Sequence, residues 1–257
     1  MFFKNFKVWE TELAGRKLTL ETGKMAGLAN AAIMARYGET EVLCTVTASA
    51  KPREGVDFFP LSVDYEEKMY AVGKIPGSFL RREGRAGEKA ILTSRCIDRP
   101  IRPLFPKDLR NDCSVVATVM SVDPDCSPEI TAAIGVSAAI AISDIPWDGP
   151  ISSVNVGIVD GEIVINPTLE QRAKTDLTLT VASTADLVAM IEAGGNEIDD
   201  DTMFNAIMAG HEENKKIVKF IQGIVDEVGK PKFAYESSDP DPEIMKEIED
   251  FCIEDVK

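Results

Sequence analysis

Runs with the two-residue periodicity of β-strands alternate along this chain with longer segments that suit helices. The first strand patterns lie within residues 5–50, where turns at residues 14–16, at Gly23 and at residues 37–39 divide them. A sheet with an apolar face has to bury it against another layer, which helical segments of the same chain can supply. The pattern therefore predicts an α+β fold, built from a mixed sheet with helices packed on a face.

The rest of the chain continues this alternation. Residues 114–122 form a continuous apolar run that is short enough for a buried strand, whereas residues 128–143 are apolar over a length that favours a helix. Asp160 and Gly161 indicate the turn of a hairpin. The other predicted strands are residues 58–68, the two arms of the hairpin within residues 151–165, residues 177–183 and residues 187–192.

The last part of the chain is acidic, with nineteen acidic and seven basic residues from position 186 onward. A helix is predicted over residues 199–228, because three aspartates at its start would face the positive end of the helix dipole and Gly229 with Pro231 would stop it. A polar linker over residues 236–242 and a second amphipathic helix over residues 243–256 follow. Such an acidic segment is most simply a solvated face.

A positive island interrupts this acidic molecule. The chain has a net charge of −15, yet residues 74–110 hold ten Lys or Arg against four Asp or Glu, including seven of the eleven arginines. Scattered charges would serve solubility better than a cluster does. The clustering therefore indicates one place where a phosphate chain binds.

Several glycines lie within residues 73–87, at the start of the positive island. They predict a mobile loop there, rather than a helix or a strand. Phe79 offers a stacking face beside the guanidinium groups of Arg81 and Arg82, which is how single strands are held without reading their sequence. The same residues would also suit a solvated basic loop with surface salt bridges. The clustering, the glycines and the aromatic ring together favour a polyanion site.

The pattern becomes helical from position 88. Ile91, Leu92 and Cys96 are expected on the apolar side of this helix. Arg95 and Arg99 lie one turn apart on another face.

Two prolines, Pro100 and Pro103, are expected to end or kink this helix. We therefore do not use helical geometry to place Arg102 on the same face as Arg95 and Arg99.

These residues resemble a known family. The loop reads Gly-Lys-Ile-Pro-Gly-Ser-Phe-Leu-Arg-Arg-Glu-Gly-Arg at residues 73–85, and Ile-Asp-Arg-Pro-Ile-Arg-Pro-Leu-Phe follows at residues 97–105. Both are similar to the first core domain of the polynucleotide phosphorylases (polyribonucleotide nucleotidyltransferases), which degrade RNA from its 3′ end with phosphate. Further matches, which extend the resemblance over nearly the whole chain, lie at residues 36–44, 59–65, 166–168 and 210–212.

The resemblance implies an RNase PH-like fold followed by an all-helical segment. Residues 1–235 would be the first core domain and residues 236–257 the start of the helical linker between two cores. The chain is then expected to be a fragment that lacks the second core and the RNA-binding modules. Members of this family form homotrimeric rings, use inorganic phosphate as co-substrate and hold Mg²⁺ in the second core. The resemblance does not tell which proteins would be partners in an RNA-degradation complex.

The resemblance also implies that loops from several copies form a constriction around single-stranded RNA. The usual Phe-Phe-Arg-Arg of this loop has Leu80 as its second residue here, and leucine packs against a base but stacks on it less well. The residues predicted to contact RNA are Phe79, Leu80, Arg81, Arg82, Arg85, Arg95, Arg99 and Arg102.

Phosphorolysis brings an anionic nucleophile beside an anionic diester, so its site needs positive potential and, usually, a metal held by carboxylates. In this family these requirements are met in the second core, by an Asp-x-Lys pair and by a serine turn before a phosphate-binding helix. The matching places of this chain hold Thr178 and Thr180, and Glu129 stands in the turn, where it would repel phosphate. We therefore expect no catalytic residue and no metal ligand in this chain.

Three functions stay open at this point. The first is an RNA-guiding, non-catalytic half of a phosphate-dependent 3′-to-5′ exoribonuclease. The second is a stand-alone, active phosphorolytic exoribonuclease, and the third is a purely structural scaffold.

Five cysteines, odd in number and without a Cys-x-x-Cys pair, are typical of reduced thiols in a cytosolic protein. The start of the chain lacks the pattern of a secretion signal, and no stretch reaches about 18 consecutive apolar residues. A soluble, cytoplasmic protein without a membrane partner is expected.

The remaining candidate metal ligands have simpler interpretations. A single histidine, His211, excludes a multi-histidine metal site and is expected to be packed or at the surface. Residues 123–125 and 239–241 both read Asp-Pro-Asp and predict turns, and residues 199–201 predict a helix start.

Overall fold

The computed structural model describes residues 5–237 and 241–256, and these contain ten β-strands and five α-helices. The strands are β1 (Lys7–Leu13), β2 (Arg16–Thr22), β3 (Ala31–Tyr37), β4 (Thr40–Ala48), β5 (Leu61–Glu67), β6 (Cys113–Ser121), β7 (Ser152–Val159), β8 (Glu162–Ile165), β9 (Leu177–Ser183) and β10 (Val188–Gly195). The helices are α1 (Glu88–Ile101), α2 (Pro128–Ile142), α3 (Leu169–Arg172), α4 (Asp200–Val228) and α5 (Pro242–Val256). The strands and long helices predicted from the sequence are all present, and the α+β class is confirmed.

The strands form two sheets. The larger has the order β1-β2-β3-β4-β6-β5, and the smaller has the order β10-β9-β7-β8. β5 pairs with β6 in parallel, whereas the other pairs are antiparallel. The predicted mixed sheet is therefore correct, and β5 is one of its two edge strands.

Helix α2 is the centre of the core, because it is buried along most of its length and contacts β3, β4, β7 and α4. Its start follows from a proline at the first helical position and from Ser127, whose hydroxyl accepts the N–H of Ile130. Small residues let it approach the large sheet closely. A Cβ added at Gly135 would lie 2.7 Å from the sulfur of Cys44.

The strand predicted at residues 114–122 is not buried on both sides. In β6, Val115, Ala117 and Val119 are buried, but the residues between them are partly exposed. An apolar run alone does not distinguish a strand covered on two faces from one covered on a single face. Helix α2 covers only one face here.

The apolar side predicted for α1 is wrong. Ile91 and Leu92 are 51% and 55% exposed, and Cys96 is only partly buried. The helix packs on β5 through a different side, which includes Ile97 and Ile101 and which the sequence pattern did not favour. The buried residues of α1 are Ala90, Thr93, Ile97, Pro100 and Ile101.

Pro100 does not end α1, which continues to Ile101 and then becomes a 3₁₀ turn (Arg102–Leu104). A proline removes one backbone donor, and so close to the end of the helix few bonds remain to be lost. Pro103 lies in the 3₁₀ turn, so the predicted end of the helix is displaced by a few residues.

The acidic end of the chain behaves as predicted where it is described. Asp199 accepts the N–H of Thr202 at 2.9 Å and caps α4, which ends before Gly229. Helix α5 has no buried residue. Part of the linker and of the turn predicted at residues 239–241 lies outside the described residues. Among the helices of the two described segments, none combines the length and the apolarity that crossing a bilayer requires.

Candidate nucleic-acid interface

The loop predicted to bind RNA leaves the large sheet at its edge. It follows β5 and a 3₁₀ turn (Met69–Val72), and it ends where α1 begins. Residues 73–87 form no helix or strand, as their glycines predicted. Gly73 has a φ of 69°, a left-handed conformation that glycine adopts easily.

The tip of this loop presents two apolar side chains to solvent. Phe79 is 99% exposed and Leu80 is 69% exposed. The tip is a tight turn in which the N–H of Arg81 donates to the carbonyl of Ser78 at 3.0 Å. Arg81 itself has a φ of 52°. This left-handed conformation costs a residue with a side chain about 1–2 kcal/mol. An exposed ring beside such a turn can stack on a base.

Four arginines of the predicted site keep their guanidinium groups free of acids. Within the residues that the structure describes, Arg81, Arg82, Arg85 and Arg95 are exposed and form no ion pair. A guanidinium group that is not already paired has all its donors available for a phosphate. The available positive charge is therefore concentrated in and beside the loop.

Two other arginines predicted to contact RNA already form ion pairs within the fold. Nη1 of Arg99 lies 2.8 Å from a carboxylate oxygen of Glu192. Arg102 binds both oxygens of Asp98, at 2.7 and 3.1 Å, and the carbonyl of Leu61 at 3.1 Å. Both stay predictions, but a phosphate would have to compete with these acids.

An acidic residue closes the loop on itself. Oε1 of Glu83 accepts the backbone N–H of Met69 at 2.7 Å, and Oε2 lies 3.6 Å from Nζ of Lys68. We call these contacts the Glu83 clasp. Beside it lies a cleft of about 440 Å³ whose walls include Arg82 and Arg85. No sequence pattern predicted the clasp, since its partners are too far apart along the chain for a local pattern to indicate it.

A second cleft, of about 300 Å³, holds the positions that the sequence analysis expects to match the phosphorolytic site of the family. Thr178 and Thr180 line it, and the hydroxyl of Thr180 donates to the side-chain oxygen of Asn155 at 2.8 Å. Neither threonine supplies the carboxylate or the cation that phosphorolysis needs.

An internal ion pair lies at the start of α2, where the family resemblance would put phosphate. Nζ of Lys89 lies 2.8 Å from Oε1 of Glu129, and the hydroxyl of Ser127 donates to the same carboxylate at 2.6 Å. Burial opposes the charged form of Glu129, but the hydrogen bonds from Lys89 and Ser127 outweigh it and lower its pKa. The hydrogen bond to Glu129 raises the pKa of Lys89. Sequence analysis identified Glu129 but not Lys89, which lies on another element.

The remaining candidate ligands have structural roles. In the turn at residues 123–125, Asp123 accepts the N–H of Asp125 at 3.0 Å. His211 is packed, with 5% of its surface exposed. Over residues 5–237 and 241–256, no three His, Cys, Asp or Glu side chains converge on a common point. These side chains do not fit a Mg²⁺ site, and we assign no step to that metal here.

Comparisons with known proteins agree with the fold. The model of the 3′ exoribonuclease family, domain 1, matches residues 14–146, and that of domain 2 matches residues 149–213. The crystal structure of rice (Oryza sativa) Rrp46 is similar with a TM-score of 0.64 and 15% identity, over 87% of this chain and 95% of that one. This likeness concerns the fold alone, and the predicted RNase PH-like fold is confirmed.

Curated relatives named polyribonucleotide nucleotidyltransferase are more similar in sequence. The protein of Ruminiclostridium cellulolyticum is 60% identical over 98% of this chain and 36% of its own length, and that of Clostridioides difficile is 54% identical over 98% and 36%. The chain thus spans about a third of the length of the relatives it matches, at their N-terminal end. Since the two family models together cover most of its residues, the chain belongs to the 3′ exoribonuclease family.

Proposed function

We propose that this chain binds single-stranded RNA through residues 73–87 and guides it in a phosphate-dependent 3′-to-5′ exoribonuclease, a polyribonucleotide nucleotidyltransferase. One observation carries the proposal. The exposed ring of Phe79 stands beside Arg81 and Arg82, which have no acidic partner among the described residues, on a molecule of net charge −15.

The chemistry of this loop suits RNA of any sequence. Guanidinium groups bind phosphates by charge and paired hydrogen bonds, and an aromatic face stacks on every base. Arg85 and Arg95 extend the positive surface beyond the tip, whereas the acidic remainder of the molecule repels a polyanion. RNA is thereby directed to one place.

We infer that the chain is the non-catalytic first core, with residues 1–235 as the domain and residues 236–257 as the start of a helical linker. The ion pair of Lys89 with Glu129 at the start of α2 supports this, because it puts a carboxylate where a phosphate would bind. Phosphate as co-substrate and Mg²⁺ would then serve the whole enzyme through other residues.

A ring of three copies would bring three such loops to one RNA strand, and this is the assembly we propose. The free thiols of all five cysteines support a reducing compartment, which we take to be the cytoplasm.

RNA binding is tested with the double variant Arg81→Ala/Arg82→Ala, by fluorescence anisotropy of a labelled single-stranded RNA between about 50 and 200 mM KCl. We expect weaker binding to every sequence, and a slope of log K against log salt that is shallower by about 1.4, since each lost phosphate contact contributes about 0.7. Lys215→Ala/Lys216→Ala, which removes the same charge from α4, is the control. An unchanged slope in the loop variant would contradict the proposal.

The lack of catalysis is tested separately. The chain is incubated with single-stranded RNA, phosphate and Mg²⁺, and nucleoside diphosphates are measured. We expect none above background. Their release at a rate comparable with that of a full-length relative would establish the stand-alone enzyme instead.

A further inference from the structure

We propose that Glu83 is a positioning residue for RNA binding, whose carboxylate holds the loop tip in the conformation that receives RNA. The inference rests on the proposed function of the loop. Glu83 lies in the loop after its tip, and both of its partners, Met69 and Lys68, lie just before the loop begins. The Glu83 clasp therefore closes a ring of chain with the tip inside it.

The clasp restricts the loop before RNA arrives. It joins backbone positions that are 14 residues apart, and Lys68 is itself held by Glu66 at 2.7 Å, at the end of β5. A loop whose ends are joined has already lost part of its conformational entropy, so binding needs less further ordering. The four glycines within residues 73–87 make such a restraint necessary.

The conformation of the tip also needs a restraint. Arg81 has a φ of 52°, and the hydroxyl of Ser78 donates to the carbonyl of Arg82 at 3.4 Å across the same turn. A left-handed arginine persists only where its surroundings hold it. Glu83 is the residue directly after this turn, so its contacts with Met69 and Lys68 fix the position of the chain where it leaves the tip.

Charge alone predicts the opposite role for Glu83. A carboxylate next to Arg82 repels phosphate, and its removal would strengthen RNA binding if electrostatics were its only effect. A positioning role predicts that loss of the clasp weakens binding. The two explanations therefore differ in the sign of the change.

Two substitutions separate these effects. Glu83→Gln removes the charge but keeps an oxygen that can accept the N–H of Met69, whereas Glu83→Ala removes both. Glu88→Ala is a matched control, because Glu88 is a nearby exposed acid that forms no ion pair within the described part of the chain. RNA affinity is measured by anisotropy of labelled oligouridylate over a salt series, and trypsin cleavage after Arg81, Arg82 and Arg85 reports the order of the loop.

We expect Glu83→Ala to bind roughly three- to tenfold more weakly than Glu83→Gln, with an unchanged salt slope and faster cleavage of the loop. Thermal unfolding verifies that both variants are folded. Equal affinities of the two variants, or equal cleavage rates, would overturn the positioning role. Failure of the proposed function is distinct, since Arg81→Ala/Arg82→Ala would then leave affinity and salt slope unchanged.

Discussion

Nζ of Lys89 lies 2.8 Å from Oε1 of Glu129, and this contact joins the first turn of α1 to the first turn of α2. The start of a helix attracts an anion, and here the chain supplies that anion itself. One ion pair thereby anchors the helix that follows the loop proposed to bind RNA, and it places a carboxylate where the family resemblance would put phosphate.

The pair makes stability depend on pH in a defined direction. Glu129→Gln is expected to lower the free energy of unfolding near pH 7 by less than about 1 kcal/mol, since Lys89 is largely exposed. The folded pKa of Glu129 lies below its ordinary value of 4.5, so its contribution is complete above that value and is lost as the pH falls through the folded pKa.

Urea unfolding at several pH values checks this dependence. The difference between the wild-type protein and Glu129→Gln should stay constant down to about pH 5.5 and shrink below about pH 4.5. A difference that grows on acidification would contradict the assignment.

Phe79→Ala should weaken RNA binding by about 1–3 kcal/mol, because one stacked base loses its ring. The salt slope should not change, since no charge is removed. Leu80→Phe should tighten binding by adding a second stacking face. Phe204→Ala, which removes a ring of α4 that is 62% exposed, is the control in the same anisotropy titration. Equal effects at Phe79 and Phe204 would exclude stacking at the loop.

Arg95 and Arg99 are neighbours on α1 that should respond differently to substitution. Arg95→Ala is expected to reduce the salt slope by about 0.7, since its guanidinium group is available to a phosphate. Arg99→Ala should change it less, because Arg99 is paired with Glu192. Glu192→Gln should release Arg99 and strengthen binding. A larger effect of Arg99→Ala than of Arg95→Ala would contradict this interpretation.

Gly135→Ala should destabilise the fold by roughly 1–3 kcal/mol, because the new methyl group would meet Cys44 at 2.7 Å and Ala35 at 2.9 Å. Gly223→Ala in α4 meets nothing within 4 Å and should stabilise the helix by about 1 kcal/mol. Urea unfolding measures both changes. Destabilisation of equal size at the two sites would show that the close packing of α2 is not the cause.

Most elements could be predicted because their signals are local. Alternating residues, an aspartate cap before α4 and the turn at Asp160 each depend on a few neighbouring positions. The side that α1 buries could not be predicted in this way. Which side of a helix faces a sheet is decided by the sheet, so Ile97 and Ile101 are buried whereas Ile91 and Leu92, of similar size, remain exposed.

The same distinction applies to the candidate site. The position of Phe79 on a loop followed from its glycine neighbours. The partner of Arg99 is 93 residues away in sequence, and that of Lys89 is on another helix, so only the folded chain brings them together. The ion pair of Asp98 in α1 with Arg102, the first residue after that helix, is the exception, because its four-residue spacing could have indicated it.

The position of β5 at the end of its sheet bears on how long the proposed RNA ligand would stay bound. A loop at the edge of a molecule can contact an RNA strand from one side only and leaves the other side hydrated, so we expect an isolated copy to hold RNA only briefly. Additional copies that present the same rim to the same strand would lengthen its residence through a raised effective concentration, without any new kind of contact.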